Sequence, residues 1–117
     1  MENKAALFAF NGDAQCFVHV LLNAFDLRER GWEVRIVIEG TATKLVKLLH
    51  EDQTQPFAAL YAKAREQGLI DCVCRACANK TGALQSALDQ GIEACDEMNG
   101  HPSVGRYLEA GYQVLTF

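Results

Sequence analysis

The sequence has no basic excess. Eleven lysines and arginines stand against 15 aspartates and glutamates, for a net charge of −4. No basic stripe is present, so nucleic-acid binding has no electrostatic footprint. Long hydrophobic runs are also missing. The apolar stretch 5–10 ends at Asn11-Gly12-Asp13, short of the roughly 7–15 apolar residues of a secretory core and the roughly 18 of a membrane span. This predicts a cytoplasmic chain with no membrane partner. Neither G-x-G-x-x-G nor G-K-[ST] occurs, which excludes the common dinucleotide and phosphate loops. A hydroxyl-rich loop after the first strand, which a flavodoxin-type flavin site needs, is absent too. No cofactor is therefore expected. There is no internal repeat, linker, charge block or low-complexity tail.

What is present fits one domain over residues 1–117, with half of its residues hydrophobic. A domain of this length buries about two-thirds of its unfolded surface, so further burial by self-association is expected. Residues 4–10 form a continuous apolar run suited to a strand buried on both faces. Residues 14–30 carry Phe17, Val18, Leu21, Leu22 and Phe25 at helical spacing, with Asp13 as N-cap and Gly31 as stop. The β-branched run 33–38 reads as a second strand. A helix through Leu49, capped by Thr41 or Thr43, follows, and Pro56 is expected at the first position of a helix over 57–67. Residues 69–74 make a third strand, and 75–90 a helical segment broken near Gly82. Residues 91–95 make a short fourth strand, 101–110 a helix after the Asn99-Gly100 turn, and 112–117 a last strand. Alternation of strands and helices predicts an α/β fold: a three-layer α/β/α sandwich with a mainly parallel, five-stranded, flavodoxin-like sheet. Reactive groups in such folds collect at the carboxyl ends of the strands. Here those ends are Asn11-Gly12, Glu39-Gly40, residues 74–77 and Cys95-Asp96.

Five cysteines occur, at 16, 72, 74, 77 and 95. An odd count without an export signal argues against a disulfide framework. Cys72 and Cys74 are two apart on a strand and face the same way, while Cys77 follows in the next turn. A helix starting near Arg75 would aim its free N–H groups at Cys74, and Arg75 and Lys80 would add positive charge. The expectation is an exposed Cys74 thiolate, with Cys77 in a C-x-x-C arrangement assisting or resolving. Cys72, Arg75, Lys80, Asn11, Gly12 and His101 are accessory candidates. His19 and His50 read as helix-surface residues, and Glu93, Asp96 and Glu97 as a solvated acidic rim. Two other readings stay open. The thiols could be inert core residues of a non-catalytic scaffold or binding module. They could instead bind zinc with Cys95 or His101, although the spacing lacks a clean second ligand pair, so no metal is expected.

Phe8-Ala9-Phe10-Asn11-Gly12, the segment Val73-Cys74-Arg75-Ala76-Cys77-Ala78-Asn79-Lys80-Thr81-Gly82, and the ending Gly111-Tyr112-Gln113-Val114-Leu115-Thr116-Phe117 together resemble the DsrE/DsrF-like sulfur-relay family. Cys74 falls where sulfurtransferase members carry a persulfide. The resemblance implies cysteine persulfide transfer between donor and acceptor proteins, and a homo-oligomer such as a trimer or hexamer. Cys72 and Cys77 are additions to the one-thiol pattern of the relay members.

Overall fold

The computed structural model describes residues 2–117. In chain order its elements are β1 (Lys4–Ala9), α1 (Ala14–Glu29), β2 (Glu33–Ile38), a short 3-10 turn (Gly40–Ala42), α2 (Thr43–Glu51), α3 (Ala58–Glu66) and β3 (Ile70–Cys74). These are followed by α4 (Arg75–Thr81), α5 (Leu84–Asp89), β4 (Glu93–Cys95), α6 (Val104–Glu109) and β5 (Gln113–Thr116). The five strands form one sheet in the order β4-β3-β2-β1-β5, and every pairing is parallel. The sheet expected to be mainly parallel is wholly so.

The strand order dictates the layers. From β1 to β4 the chain steps steadily across the sheet. Right-handed crossovers taken in one direction all pass over the same face, so α1 to α5 stack there. They bury Leu7, Ile36 and Ile38 of the sheet against Phe17, Leu21, Leu45, Leu49 and Tyr61. The step from β4 to β5 runs back across the whole sheet. The same handedness sends α6 to the opposite face, where Tyr107 covers Ala6, Phe8, Val37 and Cys72. Its ring meets Phe8 edge-on with centroids 5.4 Å apart.

Element boundaries follow local chemistry. Asp13 caps α1 by accepting from the Gln15 amide at 2.8 Å, as its side chain suggests. Gly82, at φ +78°, separates α4 from α5 where the break was expected. Pro56, by contrast, is not the first residue of α3. Phe57 intervenes with φ +74°, and the helix starts at Ala58. The last helix starts at Val104 with Ser103 as its cap, so His101 lies in the preceding loop rather than in a helix. Among the described residues, no helix is long and apolar enough to cross a membrane.

Leu7 lies at the centre of the larger core and is fully buried. Leu7→Ala should lower the unfolding free energy by about 2–5 kcal/mol, from lost burial and the cavity left behind. Urea denaturation checks this, with the midpoint expected to fall and the slope to stay unchanged.

Candidate functional site

Three carboxyl-edge segments meet above β2 and β3. The first is the end of β2, where Glu39 follows the run Val34 to Ile38. The second is the end of β3, where Cys74 is the last strand residue and also the N-cap of α4. Its sulfur accepts the Cys77 amide at 3.3 Å. The third is the loop between β4 and α6, which folds back over the edge and delivers His101.

That loop is fixed by its own backbone. Met98 and His101 exchange amide–carbonyl bonds of 2.9 and 3.0 Å, and the Gly100 carbonyl accepts the Ala76 amide at 2.9 Å. Gly100 has φ +90°, and a Cβ there would lie 3.1 Å from the Ala76 side chain. Only glycine lets the loop approach α4 this closely in this conformation.

The outcome is a cluster of four donors. The Cys74 sulfur lies 3.0 Å from His101 Nδ1 and the Cys77 sulfur 3.7 Å from the same nitrogen. The Cys74 thiol also points to the Gly100 carbonyl at 3.6 Å. One ligating atom each from Glu39, Cys74, Cys77 and His101 lies within 4.8 Å of the other three.

Burial governs the protonation of this cluster. Glu39 is 7% exposed, and burial lifts its carboxyl to about 7 with no hydrogen bond pulling it down. Cys74 is fully buried, and burial first, then the Cys77 thiol, push its thiol up to about 12. The expected exposed, ionised Cys74 is therefore incorrect. The helix-start amide is in place, but desolvation outweighs it.

The neighbours assigned to that thiolate are also placed otherwise. Arg75 pairs with Asp96 at 3.4 Å, so its charge is turned to the loop. Lys80 lies in the last turn of α4 and borders the cleft beside the cluster. Asn11 and Gly12 lie in the loop between β1 and α1. Asn11 accepts the Asp13 amide at 2.8 Å, and the Gly12 amide donates to the Thr41 hydroxyl at 2.9 Å. A Cβ at Gly12 would meet the Thr41 carbonyl at 2.7 Å, so this glycine packs β1 against the 3-10 turn.

Cys72 and Cys95 correct the expectation that all thiols are free. They form a disulfide between β3 and the edge strand β4, with Cα atoms 6.0 Å apart. Cys95 is thereby removed from the zinc set considered from sequence. Glu39 is the site residue that sequence reasoning missed. Its signal was an acidic side chain placed directly after the buried aliphatic run Ile36-Val37-Ile38 at the carboxyl end of β2.

A cleft of about 640 Å³ adjoins the cluster, lined by Gly40, Thr41, Cys77, Lys80, Thr81 and His101 among others. Its rear is riveted by hydroxyls. Thr43 lies 2.8 Å from both the Gly40 carbonyl and the Thr81 hydroxyl, and is fully buried. Of the two cluster thiols, Cys77 is the one that reaches the cleft.

Fold and site together define a three-layer parallel α/β domain with a thiol–imidazole–carboxylate cluster on its carboxyl edge. The chain is 31% identical over 99 residues to the uncharacterized protein MJ0733 of Methanocaldococcus jannaschii, across 84% of this chain and 77% of that protein. It belongs to the family of that protein. A stretch of 43 residues is 46% identical to an uncharacterized protein of Archaeoglobus fulgidus, covering 37% of this chain and 70% of that one. The fold matches the structure of BT1422, a conserved protein of unknown function from Bacteroides thetaiotaomicron. That match has a TM-score of 0.68 and 20% identity, over 98% of this chain and 95% of the other. No family model matches.

The raised Glu39 pKa sets a pH dependence for the metal-free protein. The folded state holds the proton up to about 7, whereas the unfolded carboxyl releases it near 4.3. Stability should therefore fall as pH rises from about 4.5 to 7. Thermal unfolding across this range should show that slope in wild type and a flatter one in Glu39→Gln.

Proposed function

We propose that this domain binds a divalent metal ion of the zinc class through Cys74, Cys77, His101 and Glu39. One observation carries the reading. Donors from three chain segments separated by tens of residues converge within 4.8 Å, and one of them is a buried carboxylate aimed at two thiols and an imidazole. Tetrahedral zinc bound by sulfur, nitrogen and oxygen holds its donors about 3.3–3.8 Å apart. The Cys77 sulfur–imidazole distance of 3.7 Å falls in that range, and the Cys74 distance of 3.0 Å lies a few tenths of an ångström below it.

Two thiolates with an imidazole suit zinc better than the hard cations that favour all-oxygen sites. The metal also gives the buried acidic groups what they lack. Without a cation, Cys74 keeps its proton at neutral pH and the Glu39 carboxyl, raised to about 7, is only partly ionised there; a bound divalent ion stabilises the carboxylate and ionises the thiols outright. The Cys77 amide supports the Cys74 sulfur in that state, as an outer hydrogen bond to a ligand. Cys74, Cys77 and His101 anchor, and Glu39 completes the set.

Metal analysis of the purified protein should give one zinc per chain. Titration with Co²⁺ should produce a thiolate charge-transfer band that is lost in Cys74→Ser and His101→Ala. Wild-type protein that binds neither metal would refute the reading.

A second reading, sulfur handling, draws on the exposure of Cys77. Cys77 reaches the cleft, with the imidazole of His101 at 3.7 Å to accept its proton. A persulfide would then form on Cys77 rather than on the buried Cys74, and the cleft would admit the sulfur donor. Metal-free protein treated with a sulfane-sulfur donor should gain one sulfur, and the gain should vanish in Cys77→Ser but persist in Cys16→Ser. Intact mass spectrometry checks this.

A further inference from the structure

The disulfide between Cys72 and Cys95 takes no part in ligation, yet in sequence it encloses Cys74 and Cys77 and closely precedes His101. Cys72 is two residues before Cys74 on β3, and Cys95 is six residues before His101. The 23-residue span it closes contains both Cys74 and Cys77. On the other side of the bond, β4 is an edge strand of three residues, paired only to β3. The disulfide is the covalent tie that keeps this short strand, and the loop leaving it, at the carboxyl edge.

The bond also lies in a chemically shaped setting. Cys72 is fully buried, while Cys95 is half-buried, so an incoming thiolate meets Cys95 first. The Arg106 guanidinium is 3.5 Å from the Cys95 sulfur. The Tyr107 hydroxyl is 3.6 Å from the Cys72 sulfur and donates to Asp71. A guanidinium beside one sulfur favours its thiolate form. Arg106 also holds Glu97 at 3.4 Å, and Glu97 accepts the Ser103 amide at 2.7 Å. The group that faces the disulfide therefore also braces the loop bearing His101.

We propose that Cys72–Cys95 is a redox-exchangeable latch on the metal site, opened by a small thiol reductant such as glutathione and closed by the corresponding disulfide. The inference rests on the metal-binding reading for its consequence, though not for its chemistry. The reductant thiolate attacks the Cys95 sulfur and the bond to Cys72 breaks. Cys72 leaves as a thiolate beside Tyr107 and takes up a proton from solvent. A second reductant thiolate attacks the mixed disulfide and releases Cys95 beside Arg106. Two thiols are oxidised to one small disulfide, and the protein disulfide is reduced to two thiols. With the latch open, β4 keeps its pairing to β3 and its packing on the core but loses its covalent tie, so the Gly100–Ala76 bond and the Arg75–Asp96 pair alone hold the loop to α4, and His101 is set less firmly against Cys74 and Cys77. Metal affinity falls.

Equilibration with mixtures of reduced and oxidised glutathione, followed by alkylation and peptide mass analysis, should show Cys72 and Cys95 interconverting together. Opened protein, desalted without oxygen, should bind Co²⁺ about tenfold more weakly than closed protein, the scale of losing support to a ligand. Cys95→Ser should bind as the opened form does, whatever the redox state. In metal-free protein, the amides of Gly100 and His101 should exchange hydrogen faster when the latch is open. A pair that stays bonded in excess reduced glutathione overturns the proposal, as does amide exchange unaffected by opening. Faster exchange with unchanged Co²⁺ affinity refutes the coupling to the metal. Absence of Co²⁺ binding in both states defeats the metal reading and the coupling with it, while amide exchange still decides whether the latch moves the loop.

Discussion

The site depends on one close approach: the β4–α6 loop resting on the first turn of α4. The Gly100 carbonyl takes the Ala76 amide, which as an early helical N–H has no partner within its own helix. The bond does two things at once. It satisfies a helix end, and it sets the following residue, His101, against two sulfurs. A side chain at position 100 would be refused both by φ and by Ala76. The imidazole is therefore placed by backbone geometry rather than by side-chain packing.

Topology explains why such a loop exists. The sheet order reverses between β1 and β5, the location at which open α/β sheets commonly bind ligands. The cluster nevertheless gathers over β2 and β3. The connection from β4 must travel back across the sheet to reach β5, and it passes over the carboxyl edge on the way. The segment that changes direction thus carries a ligand from β4 over its neighbour β3 and towards β2.

Much of the fold was legible in the sequence because its signals are local. The β-branched run of β2, the apolar run of β1, Asp13 before α1 and Gly82 between α4 and α5 each act within a few residues. The shared face of Cys72 and Cys74 followed from strand periodicity. The site was less legible because its decisive effects are long-range. Whether Cys74 ionises depends on how completely neighbours from other segments exclude water, and spacing carries no information about that. Cys72 and Cys95 are far apart in sequence and adjacent only because β3 and β4 pair. Glu39 gains meaning only when two thiols and an imidazole arrive above it. Pro56 failed as a helix start because Phe57 takes a left-handed conformation, which no residue preference would have suggested.

The pair of threonine hydroxyls behind the cleft has a mechanical corollary. Thr43 has a single proton. When it is given to the Gly40 carbonyl, Thr81 must be the donor between the two hydroxyls, so the chain of bonds runs one way from α4 to the turn after β2. Those two walls are thereby tied to each other. The opposite wall is the β4–α6 loop, held by the Gly100–Ala76 bond, the Met98–His101 backbone pair and two ion pairs. The cavity thus lies between a jaw carrying Glu39 and Cys77, cross-tied by hydroxyls, and a jaw carrying His101, whose grip on α4 is the Gly100 carbonyl.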